Sequence, residues 1–151
     1  MGSLVSLREV TDADVEIFYE HQRDPAAVEM AAFPARDKQA HMQHWAKIRT
    51  DATTVNRTIQ YGDEVAGNIG SWIQDDKRLL GYWIGRDYWG RGIATSALAQ
   101  FVDLLAERPL HAYVAKANVG SIRVLEKCDF EVLSEAPAED GVVELLMKLP
   151  E

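Results

Sequence analysis

The sequence predicts a mixed α/β domain, built on a mostly antiparallel sheet with flanking helices and one parallel strand connection. Three observations carry this. A chain of 151 residues, 47% of them apolar, suits one domain with a proper core. Strand-like runs between Val55 and Ile84 are separated by short turn signals, as in antiparallel hairpins. Beyond them Ile93, Ala97, Leu98, Phe101, Val102 and Leu105 recur at helical spacing between two strand-like runs, which leaves room for a parallel crossover.

Taken in order, Leu4 to Val10 alternates as a first strand. Thr11-Asp12-Ala13-Asp14 has the pattern of a capping box ahead of a helix reaching about His21. Asp24-Pro25 restarts a helix with proline at its first position, and Phe33-Pro34 breaks the chain again. From Asp37 a third helical piece places Met42, Trp45 and Ile48 on one face. His41 and His44 fall on a neighbouring face at a spacing that can begin a metal site. No third ligand accompanies them, so a solvated or partly packed helix face is expected, and no metal. Val55 to Tyr61 and Val65 to Ile73 read as a hairpin around Gly62-Asp63-Glu64. Asp75-Asp76-Lys77 is the next turn, and Arg78 to Ile84 the next strand. A helix to about Glu107, a strand Pro109 to Ala115, a helix Asn118 to Lys127 and two strands follow. The strands are Phe130 to Ser134 and Val142 to Lys148, joined by the polar loop Glu135 to Gly141.

The formal net charge of -8 argues against a nucleic-acid partner, which needs a basic surface to displace counterions. It favours cationic partners such as amines. No apolar run approaches a membrane span, and Met1 to Arg8 lacks the charged-then-apolar pattern of a secretory signal. A cytoplasmic protein, monomer or homodimer, without a membrane partner is therefore expected. The single cysteine, Cys128, forms no internal disulfide and reads as a small buried apolar residue.

The chemistry concentrates in Ile84 to Leu98, I-G-R-D-Y-W-G-R-G-I-A-T-S-A-L, where a strand passes through a glycine-rich turn into a helix start. A helix opening leaves about four amides unpaired and about half a positive charge, and glycines let a ligand approach the backbone. It is a phosphate cradle. The P-loop pattern fails because Gly90 is followed by Arg91-Gly92 instead of Lys and Ser or Thr. The dinucleotide fingerprint is weak, because Thr95 stands where its third glycine belongs and the preceding strands read as antiparallel.

Trp89-Gly90-Arg91-Gly92-Ile93-Ala94 resembles the acetyl-CoA loop R/Q-x-x-G-x-G/A of the GNAT superfamily of N-acetyltransferases. The longer Y-W-G-R-G-I-A-T is most similar to the RimJ/RimL group, which acetylates ribosomal-protein N-termini. A second match agrees: Asn118, Ser121 and Leu125-Glu126-Lys127-Cys128-Asp129-Phe130 resemble the family's N-x-x-S-x-x-v-l-e-k-x-G-F helix.

The resemblance implies a GNAT-like fold with a central parallel, splayed strand pair, and acetyl-CoA as donor. Backbone amides of Gly90, Arg91, Gly92, Ile93, Ala94 and Thr95 would hold the pyrophosphate, with charge from Arg91 and Arg86. Trp89 would stand where other members have arginine or glutamine. The pantetheine arm would lie along Tyr82-Trp83-Ile84, with Asn118 fixing it from the other side and a strand amide polarising the thioester. Ser121 would donate a proton to the thiolate or stabilise it; a hydroxyl bonded to its own helix is the structural alternative. Two carboxylates found in relatives are missing, replaced by Tyr113 and Leu79; a water relayed through Tyr113 or His111 would substitute for a base, and packing within the sheet is the structural alternative for either side chain. Asp129 occupies a helix-ending glycine position, where a left-handed backbone is expected.

The acceptor expected on this basis is a peptide or protein α-amine. Its ammonium costs only about 1.4 kcal/mol to neutralise at pH 7, against over about 4 kcal/mol for a lysine. A polyamine or aminoglycoside suits the acidic composition equally, and a non-catalytic acyl-CoA-binding module is the reading from another class. The acceptor rim is expected from Phe18 to Phe33 and the Asp75 turn. Gly92→Val is expected to abolish acetyl-CoA binding with the fold intact.

Overall fold

The computed structural model describes residues 4–26, 28, 36–137 and 143–150. The elements run β1 (Val5–Arg8), α1 (Asp12–Gln22), α2 (Lys38–Thr50), β2 (Val55–Tyr61), β3 (Glu64–Gln74) and β4 (Lys77–Ile84). A 3-10 turn (Arg86–Tyr88) leads to α3 (Ile93–Leu104), β5 (Leu110–Ala115), α4 (Val119–Lys127), β6 (Glu131–Pro137) and β7 (Val143–Leu149). The strands form one sheet in the order β1-β2-β3-β4-β5-β7-β6. Every neighbouring pair is antiparallel except β4 and β5. The expected mixed sheet, mostly antiparallel with one parallel pair at its centre, is the one that forms.

Side-chain alternation on β4 decides which helix covers which face. Leu80, Tyr82 and Ile84 point into the main core with Ile93, Ala97, Leu98 and Phe101 of α3 and Leu125 of α4. Trp83 points the other way, and its indole donates to the His21 carbonyl at the end of α1 (3.2 Å). On that face Val15 and Phe18 of α1 pack with Trp45 of α2, the two rings 4.9 Å apart. All six helical-period residues anticipated from Ile93 to Leu105 are buried.

Three expectations need correction. The face expected to be solvated or partly packed is partly packed at His44, but His41 is fully buried, and its Nε2 donates to the Val15 carbonyl at 2.8 Å. Burial keeps the imidazole neutral, and that bond joins α2 to α1. The helix after the glycine loop stops at Leu104, where Leu105 turns extended and its amide bonds the Phe101 carbonyl. Strand β6 runs on to Pro137, past the expected end at Ser134, because it pairs with β7 through an irregularity between Val132 and Ser134. The expected break at Phe33-Pro34 and most of the Glu135 to Gly141 loop lie outside the described residues.

The capping box at α1 forms as written. Thr11 accepts from the Asp14 amide (3.3 Å), and Asp14 accepts from the Thr11 amide (2.9 Å). The same buried carboxylate accepts two bonds from Arg8 (2.6 and 2.9 Å) and one from the Thr58 hydroxyl (2.8 Å). A local signal in sequence thereby ties α1 to β1 and β2.

Candidate active site

β4 and β5 pair only at Leu79 and His111; beyond that point the strands part, and the Leu80–Ile84 edge of β4 has no ladder partner. β4 continues through the 3-10 turn into the glycine loop. Gly90 (φ 76°) and Gly92 (φ 74°) both take the left-handed conformation that favours glycine. The Trp89 indole closes the turn by donating to the Ile84 carbonyl (2.9 Å). The first bond into α3 is Ser96 N–H to the Gly92 carbonyl (3.1 Å), and no side chain caps this end. Six successive amides, Gly90 through Thr95, therefore have no hydrogen-bond partner among the described residues and converge at one helix start.

All of these residues but Arg91 line a cavity of about 500 Å³, together with Tyr82, Trp83, Ile84, Trp89, Asn118 and Ser121. Tyr88, Gly120, Val124 and Lys127 line it as well. Every residue expected at a cofactor site is there except Arg91, whose guanidinium sits 5.9 Å over the Tyr61 ring and 6.0 Å over the Tyr88 ring. Arg86 lies 3.7 Å from Asp24. The cation lining the cavity is Lys127. Two glycines allow close packing around β4. A side chain at Gly67 would run into the Trp83 carbonyl, and a Cβ on Gly85 would come within 2.7 Å of the His21 ring.

A second cavity, about 340 Å³, opens on the other side of the parted strands. Tyr82, Trp83, Asn118 and Ser121 line both cavities and form the wall between them. Asn118 caps α4 by accepting from the Ser121 amide (3.2 Å). This orients the serine, whose hydroxyl lies 2.5 Å from that of Tyr82 instead of bonding its own helix backbone. Burial pushes the Tyr82 phenol up to about 12, although the bond to Ser121 pulls the other way, so the phenol keeps its proton throughout the neutral range. Tyr82 was anticipated for its backbone alone, and its hydroxyl as a partner of Ser121 was not.

Of the two side chains expected to relay a water, Tyr113 lines the second cavity and His111 does not. His111 is buried where the strands still pair, and burial, with Lys148 and Lys77 nearby, keeps it neutral. Gln22, from the expected rim segment, also lines this cavity, as do Arg36, Trp72 and Glu144, which no motif in the sequence marks. Glu144 belongs to the last strand and Gln22 to the first helix, and no spacing in the sequence relates them to the loop. The expected rim is met in part, by Gln22; the Asp75 turn contributes no lining residue, and 29–33 lie outside the described residues. No helix among the described residues is long and apolar enough to cross a membrane.

The family model described as acetyltransferase (GNAT) domain matches residues 5–131, most of the chain. The chain belongs to the GNAT acetyltransferase family. Among its relatives is the uncharacterised N-acetyltransferase p20 of Bacillus licheniformis, 26% identical over 140 residues, covering 84% of this chain and 79% of p20. The fold of this acetyltransferase matches that of spermidine N-acetyltransferase from Vibrio cholerae in complex with CoA and spermine. The TM-score is 0.85 at 13% identity, over 99% of this chain and 96% of that one. It also matches an aminoglycoside acetyltransferase in complex with coenzyme A, with a TM-score of 0.78 at 20% identity over 97% and 94% of the two chains. The GNAT-like fold and the acetyl-CoA donor expected from the motifs stand; neither relationship singles out the RimJ/RimL group.

Proposed function

We propose that this acetyltransferase moves an acetyl group from acetyl-CoA to a primary amine of a small molecule. The observation that carries this reading is the pair of cavities meeting at one wall of Tyr82, Trp83, Asn118 and Ser121. Acetyl-CoA enters from the glycine-loop side, its pyrophosphate on the free amides of Gly90 to Thr95 and its pantetheine arm along Tyr82-Trp83-Ile84. The acceptor enters from the Tyr113 side.

The neutral amine attacks the thioester carbonyl carbon, the carbon–sulfur bond breaks, and coenzyme A leaves as thiolate while the nitrogen releases a proton to water in the cleft. Magnitudes decide what Ser121 does. An ordinary thiol titrates near about 8.5, so full proton transfer from a phenol at about 12 is uphill by about 5 kcal/mol. The Tyr82–Ser121 pair acts better as a hydrogen-bond donor that stabilises the departing thiolate. Tyr113 fits as a holder of the water that receives the amine's proton.

A small acceptor is supported by a cleft of about 340 Å³ and by structural relatives named for spermidine and aminoglycosides. The second reading, a peptide α-amine acceptor, is favoured by the RimJ/RimL-like stretch Y-W-G-R-G-I-A-T. Both go with a cytoplasmic monomer or homodimer. The test is coenzyme A release with acetyl-CoA and three acceptors: a polyamine, an aminoglycoside and a peptide with a free α-amine. Acetylation of the peptide alone would favour the second reading, and no release with any amine would overturn both.

A further inference from the structure

Glu144 is a carboxylate for which the transfer chemistry has no use. It lies on β7 opposite Ala115, and Tyr113 lies opposite Leu146. Opposed residues share a sheet face, so Glu144 is the diagonal neighbour of Tyr113 on the face that borders the acceptor cleft. Trp72 and Trp83 line the same cleft. Glu144 is partly buried, yet no hydrogen bond or ion pair engages its carboxylate among the described residues. Lys116, the residue after Glu144's strand partner Ala115, pairs with Glu135 instead, at 3.1 Å. Arg36, the other charged residue lining the cleft, already has interactions within the protein. A partly buried carboxylate without a counter-charge is unfavourable, and aromatic faces beside it attract an ammonium. Both features suit a cation that arrives with the ligand.

Position decides which cation. The reacting amine stands in the gap between β4 and β5, beside Tyr82 and Ser121. β7 lies one strand farther out, and strands are spaced by about 4.8 Å. The carboxylate is thus offset from the reacting nitrogen and meets another part of the acceptor. We infer that Glu144 binds a second, non-reacting ammonium, so that the acceptor is an amine carrying at least two positive charges. This rests on the second cavity being the acceptor site.

The experiment compares cadaverine with pentylamine, which share a carbon chain and differ by one ammonium. Calorimetry on the protein–coenzyme A complex should show cadaverine binding about tenfold more weakly to Glu144→Gln than to the wild type. Glu144→Asp, which keeps the charge, should recover part of the loss. In turnover, the wild-type preference for cadaverine over pentylamine in kcat/KM should fall about tenfold in Glu144→Gln, through KM for cadaverine. Retained acetyl-CoA affinity checks that each variant is folded. Unchanged cadaverine affinity and preference would overturn the inference, and so would an equal fall in kcat for both amines, which would put the carboxylate at the reacting nitrogen. Wild-type protein that acetylates neither amine counts against the proposed function, and the cadaverine calorimetry still decides the role of Glu144.

Discussion

At the wall between the two cavities, the hydroxyls of Tyr82 and Ser121 are 2.5 Å apart and share a hydrogen bond. Ser121→Ala should lower kcat on the order of a hundredfold with little change in acetyl-CoA affinity, and Tyr82→Phe should do the same. Because each hydroxyl works through the other, the double variant should lose much less than the product of the two single losses, measured as a double-mutant cycle on kcat. With the phenol held near 12 by burial, kcat should show no titration from this pair between pH 6 and 9. Asp129 was legible from its place after the helix: it adopts φ 71°, and Phe130 N–H reaches back to the Leu125 carbonyl at 3.0 Å. A left-handed aspartate carries a strain of about 1 kcal/mol that glycine lacks. Asp129→Gly should raise the thermal midpoint by about 2–4 °C, and an unchanged midpoint would refute the strain.

At the scale of elements, the start of α3 shows how a motif becomes a site. The glycine spacing was readable because left-handed turns and open helix ends are local properties, fixed within a few residues of chain. Nothing lies within 4 Å of a Cβ built on Gly92, so the space above it is free for a ligand. Gly92→Val should abolish detectable acetyl-CoA binding by calorimetry. The expectation that its fold stays untouched needs revision: at φ 74° a branched side chain is strained, and about 1–2 kcal/mol of stability should be lost in denaturant unfolding. Arg91 shows the limit of local reading. Its neighbours in sequence suggested a phosphate contact, but Tyr61 from β2 and Tyr88 from the 3-10 turn offer its guanidinium two ring faces, and β2 is distant in the chain.

For the molecule as a whole, Asp14 is the joint between the first helix and the sheet. Burial would raise its carboxyl, but bonds from Arg8, the Thr11 amide and Thr58 outweigh that and hold it well below the usual carboxylate range. A group depressed on folding contributes stability above its unfolded value, near about 3.9, and loses it as pH falls towards the folded value. Asp14→Asn should therefore cost about 2 kcal/mol at pH 7 and progressively less below about pH 4, read from urea midpoints at pH 7 and pH 3. A difference of equal size at both would assign the loss to packing. Ligand linkage gives a global check on acetyl-CoA binding: at a hundred times its Kd it should add about 2.7 kcal/mol to unfolding.

The sequence by itself determined the order of elements, the capped start of α1, the buried stripe of α3 and the glycine loop, because each depends on neighbours within a turn or a strand. It also marked Asn118 and Ser121, which a short helix holds together. Only the tertiary structure decided that Ser121 meets Tyr82, that Lys127 and not Arg91 lines the cavity at the glycine loop, and that Glu144 joins Tyr113 in the second cavity. These contacts join residues far apart in the chain, and they exist because β4 and β5 part after a single paired position and β7 enters the sheet beside β5. Local chemistry fixes what each segment becomes. Sheet order and the parting of two strands fix which segments share a site.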